Sequence, residues 1–533
     1  MPDGPDETSP EAAGELPTGR VARTARVGRL VAGQGLRWSG MRAANKVRSP
    51  ERAEEARSER TGRLVGQLVD QLGQMRGAAM KIGQILSMVE FDGLPEDQRT
   101  ELQAKLARLR DDVPPVPFRK LEKLMREELG GPLSSVFSSF DETAFAAASI
   151  GQVHRATTLD GQDVVVKVQY PGVAEAVETD LRNAMMLLPL VKRLAPGLDA
   201  KALAEELRER ISEELDYELE AQNHRRIERL YRGHPFVRIP KVLTELSTRR
   251  VLVSEYVEGE RFEAVRRLDQ DERDRYGEIV VRFFFGLLFR EGIALGDPHP
   301  GNYLRCADGR VCFLDFGLLR DVSPAYLAGE RAIAAATRGA DADGLRDALI
   351  STGYLPPERA AEMDGDLVLR LMRAMAGWYA VPGERRFAPD AGDPRVWTTP
   401  EGETGARGED AEDVLVGATA GDAVPAPTDD EADASGPAGD APLARVDDRP
   451  GPDRAEQRAR MKAVRAEANR FTLPSEAVLT RRMFDVVAIV LGQLRAGADW
   501  GGVVGEVLYG DPPVTPLGDA EADFFAGSQP VRA

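Results

Sequence analysis

Two aspartates and an asparagine in the middle of the chain have the types and spacing that phosphoryl-transfer chemistry uses. Asn302 follows Asp297 in one short loop, and Asp315 opens an Asp-Phe-Gly triplet after the apolar run 311–314. In sites of this order, the first aspartate orients the attacking hydroxyl, while the asparagine and the second aspartate bind Mg²⁺ against the phosphates. The apolar run predicts a short strand that ends at Asp315. The three side chains therefore predict a magnesium-dependent phosphoryl-transfer site.

A lysine surrounded by valines supports the same chemistry. Lys167 lies in the run 164–168, which the turn Asp160-Gly161 joins to an earlier strand-like stretch, so the two segments predict a β-hairpin. An ammonium group among valines must contact an anion, because its desolvation without a partner is strongly unfavourable. The small residues at 146–151 would let backbone N–H groups approach a phosphate closely. We expect one acid of the helical segment 213–223 to pair with Lys167.

The elements that must position these side chains follow from hydrophobic periodicity. A strand at 251–253 that runs into the acidic-aromatic connector 254–259 predicts a hinge between two lobes. The spacing of Lys81 and Gln84, inside the first predicted helix, favours ordinary helix surface. Helices are predicted at 64–109 (a hairpin interrupted at 93–95), 120–129, 274–290, 326–351, 356–378, 455–470 and 476–496.

The charge of the chain is large and uneven. The 533 residues include 70 basic and 88 acidic side chains, for a formal net charge of −18. Residues 20–63 are rich in arginine, whereas residues 401–440 are strongly acidic. This balance favours solubility and argues against nucleic-acid binding by the folded part. The Arg-rich segment is compatible with a solvated helix or with a helix that touches an anionic membrane surface.

Cysteine usage and hydropathy favour a cytoplasmic protein. Cys306 and Cys312 are too few, and too close to the predicted site strand, to indicate a disulfide framework or a metal site. The first residues lack the apolar segment of a secretory signal. The most apolar runs, at 280–288 and 486–494, are shorter than the roughly 20 residues of a membrane-spanning helix.

Motifs in chain order resemble those of the AarF/UbiB family of atypical protein-kinase-like proteins, the coenzyme Q-supporting kinase family. The resemblance covers about residues 64–320. It implies an α+β, bilobal protein-kinase-like fold with an N-terminal helical KxGQ extension and extra C-terminal helices. The matching segments are KxGQ at 81–84, the alanine-rich loop at 146–156, the lysine strand at 165–173, Glu214-Leu215-Asp216 (the ExD segment) with Glu220, and the loops 297–302 and 315–317.

The resemblance implies roles for individual residues. Asp297 would be the base, Lys167 would contact the α/β-phosphates and pair with Glu220, and the KxGQ helices would cover the active-site cleft with Lys81 and Gln84 near Glu214. The implied catalytic set is Asp297, Lys167, Glu220, Lys81, Gln84, Glu214 and Asp216. ATP or ADP would be bound by Ala146, Ala147, Ala148, Ser149, Ile150, Gly151, Val153, Lys167, Glu255 and Val257, and Mg²⁺ by Asn302 and Asp315.

Composition and resemblance together predict seven segments. These are a disordered to Arg-rich helical tail (1–63), the KxGQ extension (64–117), an N-lobe (118–258), a C-lobe (259–387), a disordered acidic insertion (388–457), C-terminal helices that complete the C-lobe (458–512) and a tail (513–533).

The resemblance implies an ATP-binding atypical kinase or ATPase that supports isoprenoid-quinone or lipid metabolism. A cleft covered by its own extension favours water or a small acceptor over a protein, and no Ala-Pro-Glu segment follows Asp315. The expected partners are a nucleotide and a lipid or quinone precursor, with a peripheral membrane contact.

The alternative is a nucleotide-gated, non-catalytic regulator or scaffold. A small-molecule kinase of the aminoglycoside type shares the Asp/Asn/Asp pattern, but the KxGQ and ExD segments argue against it. Leu295 replaces a histidine that many bacterial members carry there, which leaves the packing of the Asp297 loop open.

Overall fold

Two compact units make up the chain. The computed structural model describes residues 116–147, 150–179, 181–182, 185, 208, 212–387, 397–398, 404–405, 463–464 and 466–527. The first unit contains the described residues up to Ile227 together with Pro240–Tyr256, and the second contains Glu228–Ile239 and the residues from Val257 onward. The predicted KxGQ extension therefore lies outside the described residues, except for its last two positions.

The first unit is built on a five-stranded antiparallel sheet in the order β1-β3-β4-β6, with β2 paired to β3. One helix precedes the sheet, and a second begins in this unit after β4. The elements are α1 (Phe118–Glu128), β1 (Phe137–Phe140), β2 (Ala146–Ala147), β3 (Gly151–Thr158), β4 (Asp163–Gln169), α2 (Tyr217–Leu230) and β6 (Val251–Glu255), with 3₁₀ turns at Leu133–Ser135 and Thr244–Leu246.

The hairpin predicted around Lys167 is present as β3 and β4. Its turn closes where Thr158 N–H donates to the Gln162 carbonyl at 2.9 Å, and Gly161 adopts φ 84°, which glycine tolerates without strain. Val164, Val166 and Val168 alternate along β4 and are at most 1% exposed, in the core of the unit. Because side chains alternate across a strand, Lys167 lies on the opposite face of the sheet.

The acidic segment predicted as one helix over 213–223 is interrupted. Helical residues end at Glu214, and α2 begins only at Tyr217. The Asp216 carboxylate caps α2, since its Oδ1 accepts the N–H groups of Glu218 (3.0 Å) and Leu219 (3.2 Å). An aspartate that satisfies the first N–H groups of a helix starts a new helix at that point, which is the physical reason for the break.

The second unit is organised around one buried helix, α4 (Gln270–Phe289). Asp269 caps its start by accepting the Glu272 N–H at 2.9 Å. Every residue from Tyr276 to Phe289 is buried, as expected for a helix at the centre of a domain. The neighbouring short strands are β5 (Val237–Arg238), β7 (Glu260–Arg261), β8 (Ile293–Leu295), β9 (Tyr303–Arg305), β10 (Val311–Phe313) and β11 (Leu319–Asp321).

These strands form two small sheets, β5-β10-β9-β7 and β8-β11. The helices that complete the unit are α3 (Phe262–Val265), α5 (Pro324–Gly339), α6 (Ala342–Ser351), α7 (Pro357–Ala360), α8 (Gly365–Ala380), α9 (Ser475–Leu494), α10 (Trp500–Tyr509) and α11 (Pro516–Gly527). A third sheet has the order β14-β13-β12-β15, with β12 (Arg385–Phe387), β13 (Trp397–Thr398), β14 (Thr404–Gly405) and β15 (Gly497–Ala498).

Two sequence predictions about the C-terminal part need correction. Residues 513–533 were predicted to be a tail, but they contain α11, whose Glu521 is 2% exposed and pairs with the buried Arg282 at 3.1 Å. Strands β13 and β14 lie within the segment 388–457, predicted to be disordered throughout, because backbone pairing with β12 orders them. The rest of that segment lies outside the described residues.

Among the described residues, no helix combines the length and the apolar character that crossing a membrane requires.

Candidate active site

Lys167 pairs with Glu220. The ammonium nitrogen lies 2.8 Å from Oε1 and 2.9 Å from Oε2 of the carboxylate, and the Glu220 side chain is only 7% exposed. The ring of Tyr217 lies under the same ammonium, 4.9 Å from its centroid. The anionic partner that the valine-rich strand required is therefore a glutamate on α2.

The start of α2 is fixed to the sheet, and this fixes Glu220. Tyr217 N–H donates to the Arg249 carbonyl at 3.0 Å, just before β6. The Gln169 side chain, at the end of β4, donates to the Leu215 carbonyl at 2.9 Å. Asp216, predicted as catalytic, acts here as the helix cap described above. Glu214 is half-buried and is the last helical residue before the break that precedes α2.

The small-residue loop leads into β3, where the backbone at Gly151 lies very close to the backbone of β4. Ala146 and Ala147 form β2, which pairs with Val153 and Gln152 of β3. Ala148 and Ser149 lie outside the described residues, and Ile150 is buried. A Cβ atom on Gly151 would lie 2.3 Å from the Val168 carbonyl oxygen, so this position requires glycine. Val153 faces Lys167 across the β3–β4 ladder.

The strand that follows this loop carries a buried histidine. His154 lies on β3 with no exposed surface, and burial lowers its pKa, so the ring is neutral. Its Nε2 accepts the Gln152 amide at 2.9 Å, while Nδ1 donates to the Asp141 carbonyl at 2.8 Å. The Gln152 amide oxygen in turn accepts the N–H of Val116 at 2.9 Å. This chain of hydrogen bonds connects Val116, just before α1, to β3.

The predicted hinge follows β6. Glu255 is the last residue of that strand and lies opposite Val164 of β4. Tyr256 N–H donates to the Asp163 carbonyl at 2.9 Å, which extends the ladder by one residue. Val257 comes next, is 6% exposed and begins the second unit.

In the second unit, the loop of Asp297 is fixed to the segment that follows Asp-Phe-Gly. Gly296 N–H donates to the Leu318 carbonyl at 2.9 Å, next to the β8–β11 pairing of Leu295 with Leu319. Leu295, which replaces the histidine that many bacterial members carry, is 4% exposed and packs as a core residue. The leucine therefore fills this position with a buried apolar side chain, next to the backbone bond that holds the Asp297 loop.

Asn302 and Asp315 are held by backbone bonds between their segments. Leu314 N–H donates to the Asn302 carbonyl at 3.0 Å, and the Asn302 amide lies 3.5 Å from the Asp297 carbonyl. Asp315 Oδ1 accepts the Gly317 N–H at 2.9 Å, and Phe316 is fully buried. These contacts place the asparagine, just before β9, and the second aspartate, two residues after β10, at the same end of two paired strands of one unit.

Arg482 is a site residue that sequence reasoning missed. Its Nη2 lies 3.7 Å from Oδ1 of Asp297; the arginine side chain is 8% exposed and the aspartate side chain 26%. The residue comes from α9, far along the chain, and an arginine on an apolar helix carries no sequence signal for this contact. The adjacent arginines Arg481 and Arg482 are noticeable in the sequence of this helix, but they do not identify Asp297 as the partner.

The register of α9 is fixed by Arg481. Its guanidinium contacts both Glu330 carboxylate oxygens at 3.2 Å and the Tyr354 hydroxyl at 3.1 Å. Tyr326 links Tyr354 to Thr480 of α9 through two hydrogen bonds of 2.8 Å. Arg481 therefore anchors α9, and the next residue, Arg482, contacts Asp297.

The donor chemistry at Asn302 and Asp315 fits Mg²⁺. An amide oxygen and a carboxylate are hard oxygen ligands, and Mg²⁺ in nucleotide sites uses one or two such side chains together with phosphate oxygens and water. Among the described residues, no group of three or more His, Cys, Asp or Glu side chains could hold a metal ion alone. Asn302 and Asp315 supply two such oxygen ligands.

Comparison with known proteins identifies the family. The ABC1 atypical kinase-like domain model matches residues 108–343. The mitochondrial atypical kinase COQ8 of Saccharomyces cerevisiae is 31% identical over 345 residues, which cover 64% of this chain and 67% of that protein. The chain belongs to the ABC1 atypical kinase family. The resemblance noted from its motifs is thus confirmed, and so is the α+β, kinase-like fold class.

Two further matches define the extent of the likeness. The mitochondrial atypical kinase COQ8B of Danio rerio is 33% identical over 318 residues, or 58% of this chain and 49% of that protein. The matched part of this ABC1 family member therefore spans about half of the length of COQ8B and about two thirds of the length of COQ8. A solved structure of Rv3197 with erythromycin, from Mycobacterium tuberculosis, covers 85% of this chain and 97% of its own, with 26% identity and a TM-score of 0.53.

Lys81 and Gln84 of the KxGQ segment lie outside the described residues. The structure pairs Lys167 with Glu220 in the first unit and links Asp297, Asn302 and Asp315 in the second.

Proposed function

We propose that this ABC1 family member binds ATP with Mg²⁺ and catalyses its hydrolysis or the transfer of its γ-phosphoryl group. The observation that carries the proposal is the Lys167–Glu220 pair, in which both carboxylate oxygens contact the ammonium. A lysine held this way on a sheet face is oriented to contact nucleotide phosphates. In the second unit, the loops of Asp297, Asn302 and Asp315 carry the side-chain types that the same chemistry uses.

Each residue has a role in this scheme. Asp297 would accept the proton of the attacking hydroxyl or water, and Arg482 would hold its carboxylate in one orientation. Lys167 would bind the α/β-phosphates and would be kept in place by Glu220. Asn302 and Asp315 would hold Mg²⁺, which supplies charge neutralisation at the phosphates. Glu255 and Val257 would offer backbone groups to the adenine, and the loop 146–151 backbone N–H groups to the phosphates.

We further propose that the acceptor is water or a small, lipid-like quinone precursor. The relatives named COQ8 and COQ8B, and the family resemblance to coenzyme Q-supporting kinases, support an isoprenoid-quinone role. The lack of an Ala-Pro-Glu segment after Asp315 in the sequence argues against a peptide-docking platform. Peripheral contact with an anionic membrane is part of this proposal, since such an acceptor resides in lipid.

The test is phosphate release from ATP by the full chain, with and without anionic liposomes and quinone-precursor analogues. We expect magnesium-dependent release that an Asp297→Asn variant loses while it retains ATP affinity in calorimetry. ATP binding without release under every lipid and ligand condition would favour the non-catalytic regulator. Release that persists in Asp297→Asn would contradict the role of Asp297 as base.

A further inference from the structure

The only two cysteines of the chain lie on one hairpin between the proposed metal ligands. Cys306 follows β9 and Cys312 lies in β10, so the pair sits between Asn302 and Asp315 in the chain. Neither forms a disulfide in the structure, and both are buried, at 3% and 0% exposure. The sequence alone gave no reason to connect them, because their number was too small for a disulfide framework.

The ladder register places the two thiols on the same face of the sheet. Cys312 pairs with Leu304, and Cys306 N–H donates to the Arg310 carbonyl at 2.9 Å, so the cysteines are diagonal neighbours across β9 and β10. They pack in one small cluster with Val257. Diagonal neighbours on one face of a sheet lie within reach of each other's side chains. The register and the shared cluster therefore make the two thiols neighbouring side chains.

The surroundings favour oxidation of Cys306 first. The hydrogen bond from Cys312, assisted by the Arg238 guanidinium, lowers the pKa of the Cys306 thiol against the opposing effect of burial. Arg238 lies opposite Cys312 on the neighbouring strand β5. Cys306 also begins the exposed turn of residues 307 and 308, and such turns open most readily. Transient opening of this turn would admit a small oxidant.

We infer that Cys306 and Cys312 are a reversible redox modification site that closes to an intramolecular disulfide. With a peroxide as the oxidant, the Cys306 thiolate attacks one peroxide oxygen, which yields a sulfenic acid and, after protonation, one water. The Cys312 sulfur then attacks the sulfenic sulfur, forms the S–S bond and expels a second water. The two thiols lose two electrons and two protons in total. A dithiol reductant reverses the reaction by thiol–disulfide exchange.

Diagonal geometry makes this disulfide easy to reduce. Diagonal neighbours have Cα atoms about 7–8 Å apart, whereas relaxed disulfides have Cα atoms about 5.5–6 Å apart. The hairpin must therefore tighten as the bond forms, and strained disulfides are the labile, regulatory ones. Leu314, two residues after Cys312, bonds to Asn302, so tightening acts directly on the two proposed metal ligands.

The test uses the full chain treated with hydrogen peroxide, alkylated in denaturant and digested with trypsin without reduction. Trypsin cleaves at Arg305, Arg310 and Arg320, which separates Cys306 and Cys312 into different peptides. We expect the peptides 306–310 and 311–320 to appear as one linked species that dithiothreitol separates, from protein that stays monomeric on non-reducing gels. Neither Cys306→Ser nor Cys312→Ser should give this species.

Several results would overturn the inference. These are two thiols that remain fully alkylated after peroxide treatment, sulfinic acid without linked peptides, or a disulfide-linked dimer. The effect on the site is measured separately, as a dithiothreitol-reversible loss of magnesium-dependent ATP affinity. Linked peptides without any ATP binding before oxidation would leave the redox pair intact and contradict the proposed function instead.

Discussion

Replacement of Arg482 by glutamine tests whether the C-terminal helix α9 positions the catalytic loop. Two unit charges 3.7 Å apart, as in the Arg482–Asp297 pair, interact by about 4.5 kcal/mol at an effective dielectric of about 20 and by about 1 kcal/mol in water. Asp297 is 26% exposed, so solvent screens part of this energy. We expect a loss of about 1–3 kcal/mol, which corresponds to about a 5- to 150-fold lower kcat.

The assay is steady-state ATP hydrolysis, with kcat and KM for MgATP measured separately. KM should change little, because in the proposed scheme the pair orients the proton acceptor and does not hold the phosphates. Arg482→Lys keeps the charge and should recover part of kcat. Arg338→Gln is the control, since it breaks an exposed ion pair with Asp511 of 2.7 Å and should leave kcat unchanged. A wild-type kcat in Arg482→Gln, at an unchanged melting temperature, would refute the reasoning.

Three further variants test other parts of the structure. Glu220→Gln leaves the Lys167 ammonium with a neutral partner, so we expect a loss of about 1.5–3 kcal/mol in MgATP binding, measured by calorimetry. Gly151→Ala places a Cβ atom 2.3 Å from the Val168 carbonyl oxygen and should lower stability by about 1–3 kcal/mol in thermal unfolding. Burial lowers the pKa of His234 to about 3, with Arg290 and Arg282 adding to the shift. Because the unfolded histidine binds a proton that the folded one does not, stability should fall by about 2 kcal/mol between about pH 7.5 and about pH 5.

Each of these three predictions has a control variant or a result that would contradict it. An unchanged affinity in Glu220→Gln would show that the pair is not needed for nucleotide binding. Gly339→Ala, with nothing within 4 Å of the added atom, should be neutral or stabilising, and an equal loss at both glycines would exclude the steric explanation. His234→Gln should flatten the pH dependence between the same limits, and an unchanged slope would assign it to other groups.

Local sequence patterns predicted the strands that hold the proposed site residue Lys167. The valine run and the Asp160-Gly161 turn were enough for the β3–β4 hairpin, because alternation and turn chemistry are local. The need for an anion beside Lys167 followed from desolvation, and the structure supplies Glu220. The start of α2 was missed because an aspartate inside an acidic segment resembles helix surface until its capping bonds are seen.

Long-range contacts could not be predicted. The Arg482–Asp297 pair joins segments on either side of the predicted acidic insertion, and no local pattern encodes such a pairing. Helix α11 is anchored by the buried Arg282–Glu521 pair and by ring contacts of Phe524 and Phe525 with His234, and all of these partners lie far away in the chain. Roles implied only by the family resemblance, such as those of Lys81 and Gln84, remain predictions.

Calorimetric titration of ATP into the wild-type chain and into Asp315→Asn, each with and without Mg²⁺, tests the central claim most directly. Asp308→Asn removes a nearby carboxylate from an exposed turn and serves as the control. We predict magnesium-dependent ATP binding in the wild type and in Asp308→Asn, and its loss in Asp315→Asn. Equal magnesium-dependent affinity in Asp315→Asn and the wild type would contradict the account.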